Sequence, residues 1–133
     1  MEEKYKWDLS VLYASNDYWE EDYRNGEKEL PQLLEFKGSL ADSGKLGQFM
    51  QLYINHSIMR ENLYVYAHIR FFEDTRNAVY EEMKGRIELL VSKISAETVF
   101  KKKELSALSQ DDINAMIREN AQLAGYRFFL KSY

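Results

Sequence analysis

His56 and His68 are the only histidines in the 133-residue chain, and there is no cysteine. They stand twelve positions apart, a little over three turns of helix, so they cannot share one metal ion. Zinc peptidase chemistry wants two imidazoles one turn apart on a helix face, as in His-Glu-x-x-His, with a carboxylate poised to activate metal-bound water. No such motif occurs. Each histidine is therefore expected as a partly buried helix side chain held by one hydrogen-bond partner. Nucleophilic catalysis finds no support either: there is no thiol, no nucleophile elbow and no glycine-rich phosphate loop, and the serines fall where helices need caps.

The carboxylates of Glu20-Glu21-Asp22 and Glu81-Glu82 are read as charges near helix N-termini, where they favour the macrodipole. Lys101-Lys102-Lys103 is read as a solvated helix face. The residues thus assign no catalytic residue and no metal ligand, and leave any substrate-binding residue unknown. Composition narrows the function class further. A formal charge of -4 argues against nucleic acid as a partner, because a phosphate-backbone binder concentrates basic residues on one face. The opening Met1-Glu2-Glu3-Lys4-Tyr5 is too acidic for a signal peptide, and no apolar run approaches the roughly 18 residues of a spanning helix. A soluble protein of the reducing cytosol, with no membrane partner, is expected. Ten Tyr, seven Phe and two Trp exceed what one small core usually requires, so some are expected at a packing surface for something larger.

The elements that must carry these residues are helices. Six Gly, one Pro and apolar residues recurring at three and four positions predict an all-α antiparallel bundle of about five long helices, with no sheet, as a single domain over residues 1–133. An extended arm from Tyr5, with Asp8 as a possible cap, should end in one turn by Tyr13. A helix capped by Ser15 follows, with a stripe of Trp19, Tyr23, Leu30 and Leu33; Pro31 should kink or restart it near Leu30, and Gly38 should end it. The longest pattern runs from about Lys45 to Phe72, through Leu46, Phe49, Met50 and Tyr53 and then Ile54, Ile58, Val65 and Ile69. Its apolar set drifts from one stripe to another, which predicts neighbours on more than one side. After a short link at 73–77, with Thr75 or Asn77 as cap, Val79, Met83, Ile87, Leu90 and Ile94 mark an antiparallel helix reaching at least Val99. Ser109 to Asp112 resembles a capping box, and Leu123, Tyr126, Leu130 and Tyr133 carry helical spacing to the last residue, where no helix stop follows.

In their order these residues resemble the amino-terminal region of the oligoendopeptidase F family. The likeness begins with Tyr5-Lys6-Trp7-Asp8-Leu9-Ser10-Val11-Leu12-Tyr13-Ala14-Ser15, similar to the family's Trp-Asp-Leu-Ser opening, with Trp19 after it. It continues with Phe36-Lys37-Gly38-Ser39-Leu40, then Leu63-Tyr64-Val65-Tyr66-Ala67-His68-Ile69-Arg70 followed by Glu73-Asp74-Thr75. It closes with Leu123-Ala124-Gly125-Tyr126-Arg127-Phe128-Phe129-Leu130.

The resemblance implies a longer parent, a zinc metallopeptidase that hydrolyses short peptides in the cytosol, with its zinc motif in a catalytic domain beyond Tyr133. It implies no cofactor in this chain and zinc in that parent. The lobe would help to enclose the substrate cleft, with the catalytic domain as its partner and short peptides reached through the complete enzyme. Tyr64, Tyr66, His68 and Arg70 would be candidates for contact with peptide or partner, against a core-packing role for the tyrosines. Uncovered apolar surface would let the isolated domain form a homodimer. A freestanding helical interaction module without enzymatic activity is the second reading.

Overall fold

The computed structural model describes residues 9–131, so the arm before Leu9, the cap at Asp8 and the final Tyr133 lie outside the described residues. The architecture is all-α, and among the described residues there is no strand. Its elements are α1 (Asn16–Leu34), α2 (Ser43–Glu73), α3 (Ala78–Glu97), α4 (Val99–Ser106), α5 (Gln110–Glu119), a 3-10 helix (Ala121–Tyr126) and α6 (Arg127–Lys131). The expected turn before α1 is present, closed by the Leu12 and Tyr13 amides donating to the Leu9 carbonyl at 2.9 and 3.1 Å.

Three boundaries differ from the sequence reading. Pro31 lies inside α1, so the helix does not restart there: the proline removes one donor, yet the Glu35 amide still donates to the Pro31 carbonyl at 3.2 Å and carries the backbone onward. The helix ends at Leu34, not Gly38; Gly38 instead supplies the left-handed conformation, φ +85°, of the following turn. The helix expected to reach at least Val99 breaks at buried Thr98, whose ψ of 18° is not helical, and restarts as α4. The C-terminal helical spacing resolves into the 3-10 helix and α6, with Leu123 and Leu130 buried.

The chain divides into two compact units, one of the residues up to Glu29 with His56–Ile94, the other of Leu30–Asn55 with the residues from Ser95 onward. In the first, α1 and α2 run antiparallel. As the position in α1 rises from Asn16 through Trp19 to Gly26, the hydrogen-bonded partner in α2 falls from Tyr66 through Leu63 to His56. The link from α2 to α3 is short, and Asn77 caps α3 by accepting from the Val79 amide at 2.9 Å. Met83, Ile87, Leu90 and Ile94 form the buried stripe of α3, as their spacing predicts, whereas Val79 is exposed.

In the second unit Leu33, Leu40, Leu46, Phe49, Phe100, Leu105, Ile113, Leu123 and Leu130 belong to one buried cluster. The Ser109–Asp112 capping box forms in full: the Ser109 hydroxyl accepts from the Asp112 amide at 3.0 Å and the Asp112 carboxylate from the Ser109 amide at 2.9 Å. Gly47 lets α2 approach the end of α5, because a β-carbon there would come within 2.7 Å of Asn120 Nδ2. The turn after α1 is tied down by Glu104, whose carboxylate accepts from the Gly38 amide at 2.8 Å and the Leu40 amide at 3.2 Å. Glu104→Ala leaves both donors without that acceptor and is expected to cost about 2 kcal/mol. A shift of the urea midpoint worth under about 0.5 kcal/mol would show that water replaces the carboxylate freely.

Candidate functional site

The chemistry-bearing side chains of the first unit are held by structural partners. His56 is fully buried, with Nε2 2.9 Å from the Gly26 carbonyl, so that nitrogen carries the proton and donates. Its Nδ1 is enclosed and meets no protein partner. Burial pushes the imidazole below its ordinary pKa of 6.5, more than the hydrogen bond to Gly26 raises it, and the nearby Arg60 charge adds to the lowering. Above pH 6.5 both folded and unfolded chains hold this histidine neutral. Below 6.5 the unfolded chain takes up a proton before the folded one, so stability falls with pH until the lower folded pKa is reached. His56→Gln, which keeps an amide donor but does not titrate, is expected to flatten that slope. Equal changes in urea-derived stability between pH 7 and pH 5 for the two proteins would refute this assignment.

His68 lies against α3, with Nδ1 2.8 Å from the Tyr64 carbonyl and Nε2 2.9 Å from Glu88 Oε1. The Tyr64 ring stacks on it at 3.7 Å and Phe72 follows at 6.3 Å, so residues one turn apart make an aromatic ladder along α2. Glu88 also meets Lys84 at 2.9 Å, and these two hydrogen bonds hold its carboxyl below the usual carboxylate range. Tyr66 is buried with its hydroxyl donating to Asn16 at 2.8 Å, while Arg70 pairs with Glu73 and lies over the Tyr66 ring. Of the four candidate contact residues, then, Tyr66 is a core side chain, His68 and Arg70 are positioned by neighbours, and Tyr64 is exposed over two-fifths of its surface.

Two carboxylates of the Glu20-Glu21-Asp22 cluster are likewise committed. Glu20 takes both guanidinium nitrogens of Arg86 at 2.6 and 2.8 Å, which lowers its pKa, and Arg86 lies over the rings of Tyr23 and Trp19. Asp22 accepts from the Tyr13 hydroxyl at 2.9 Å; burial first, then this bond, raises the phenol well above its ordinary range. Both residues line a shallow open depression with Leu12, Ala14, Tyr18 and Glu21. In the second unit Lys101 lies 4.1 Å over the Tyr53 ring, and Lys102 and Lys103 are exposed.

Among the described residues no three His, Cys, Asp or Glu side chains group so as to hold a metal ion. The zinc that the resemblance implies does not fit this region: one imidazole is sealed on a backbone carbonyl and the other is engaged through both nitrogens. No helix among the described residues is long and apolar enough to cross a membrane.

Two details escaped the sequence reading. In the second half of α2 the buried residues are His56, Leu63, Tyr66, Ala67 and His68, whereas Ile58 and Phe72, expected in the apolar stripe, face outward. The Arg86–Glu20 pair joins α1 to α3 across a gap in sequence that no local spacing reveals.

No family model matches the chain. It is 30% identical over 132 residues to the group B oligopeptidase PepB of Streptococcus agalactiae, which covers 98% of this chain and 22% of the relative. Oligopeptidase PepF of Bacillus subtilis is 26% identical over 122 residues, covering 90% of this chain and 18% of that protein. The crystal structure of oligoendopeptidase-F from Enterococcus faecium superposes with a TM-score of 0.80 at 28% identity, over 88% of this chain and 23% of the other. The chain thus spans about a fifth of the length of these relatives. In sequence and in fold it corresponds to the amino-terminal region of the oligoendopeptidase F family.

Proposed function

We propose that this chain serves as the non-catalytic amino-terminal lobe of a zinc-dependent oligoendopeptidase that hydrolyses short peptides in the cytoplasm, helping to enclose the substrate cleft. The observation that carries the reading is a match along nearly the whole chain to one end of peptidases about five times as long. The side chains suit that division of labour. Both imidazoles and the carboxylates of Glu20 and Glu88 are committed to hydrogen bonds and ion pairs that hold α1, α2 and α3 together. Zinc, its ligands and the peptide-cleaving step belong in this reading to the remaining polypeptide. The lobe's contribution is to limit access and exclude water around the bound peptide.

The test is the size and activity of the native polypeptide. An antibody raised against this chain is expected to detect a band several times larger than 15.8 kDa, and the captured protein to cleave short peptides in a chelator-sensitive way. A native band at 15.8 kDa, without peptidase activity, would overturn the reading in favour of a freestanding interaction module.

A further inference from the structure

The second half of α2 is apolar around much of its circumference, the pattern of a helix covered on every side. Within its unit it is covered on two. α1 lies along Leu63 and Tyr66, where Trp19 and Asn16 bond to it, and α3 lies along His68 and Phe71, which meet Glu88 and Lys84. The third side carries Ile58, Val65, Ile69 and Phe72, which helical spacing aligns in one stripe about 21 Å long. Ile58 is 54% exposed and Phe72 66%, with Val65 and Ile69 half-buried between them. With the rim of Tyr64, this is an apolar patch on the order of a few hundred Å², the size that marks interaction sites on soluble domains.

The patch is preorganised. Tyr64 is stacked on His68, Phe72 lies tilted beside it at 6.3 Å, and His68 is pinned through both nitrogens, so little freedom of the Tyr64–His68 pair is lost on covering that edge. It does not suit an anionic bilayer, because Glu61 lies in the stripe and Glu73-Asp74 follow it. The chain spans only 22% of a peptidase that it matches at 30% identity, so relatives of this fold carry about four-fifths of their polypeptide in addition.

We propose that the Ile58–Phe72 stripe is the seat on which that remaining polypeptide packs, through a helix bearing an aliphatic stripe and a Lys or Arg opposite Glu61. The cation follows from the cost of burying Glu61 without a partner. This rests on the peptidase-lobe reading above, and its test separates the two.

The chain has no native cysteine, so single cysteines report on it cleanly. Phe72→Cys and Ile58→Cys would be labelled with a maleimide in the 133-residue chain and in the longer native polypeptide, with exposed Asn25→Cys on α1 as control. At least tenfold slower labelling of positions 58 and 72 in the longer polypeptide, with position 25 unchanged, is the expected result. Equal labelling in both overturns the docking face and leaves the peptidase-lobe reading standing. Protection that grows with concentration of the 133-residue chain alone, while positions 58 and 72 label as fast in the longer polypeptide as in the dilute fragment, assigns the face to a second copy and overturns the proposal. A native polypeptide of only 15.8 kDa removes the occupant and both inferences fall.

Discussion

Trp19→Ala is expected to lower stability by about 3–5 kcal/mol, the range for deleting a large aromatic from a core. The indole is fully buried, stacks on Tyr23 at 5.3 Å and donates from Nε1 to the Leu63 carbonyl at 2.9 Å. Alanine removes the apolar body, opens a cavity between α1 and α2, and takes away the donor. Trp19→Phe separates these effects, since it keeps most of the body and loses the hydrogen bond; a smaller loss of about 1–2 kcal/mol is expected. Urea denaturation of the three proteins decides the matter. If Trp19→Phe is as damaging as Trp19→Ala, the hydrogen bond rather than the packed ring holds the helix pair.

The second large effect is expected at Phe49, in the other unit. Its ring is fully buried and meets Phe36 at 5.6 Å, Tyr53 at 5.6 Å and Phe100 at 5.8 Å, so segments distant in sequence converge on one side chain. Phe49→Ala removes that shared contact and is expected to cost about 3–5 kcal/mol, with Phe49→Leu recovering more than half of it because less volume is lost. The same denaturation experiment applies. A loss under about 1 kcal/mol for Phe49→Ala would mean that the neighbouring rings collapse into the space.

The all-helical class was legible in the spacing of apolar residues alone, because a helix that packs on one side must repeat at three and four positions whatever covers it. So were the Ser109–Asp112 cap, the α3 stripe of Met83, Ile87, Leu90 and Ile94, and the absence of a zinc motif: each is a local pattern over a few residues. The fate of Pro31 was not, since a proline's tendency to break a helix competes with packing on either side of it, and Leu30 and Leu33 are both buried here. Nor was the outward face of Ile58 and Phe72, because a helix apolar all round carries no sequence signal for which side meets its neighbours. Only the tertiary structure could pair Arg86 with Glu20, seal His56 against Gly26 and set His68 against Glu88. Those contacts join residues 20 to 66 positions apart, and which polar groups meet is decided by how whole helices stack rather than by any residue's neighbours in the chain.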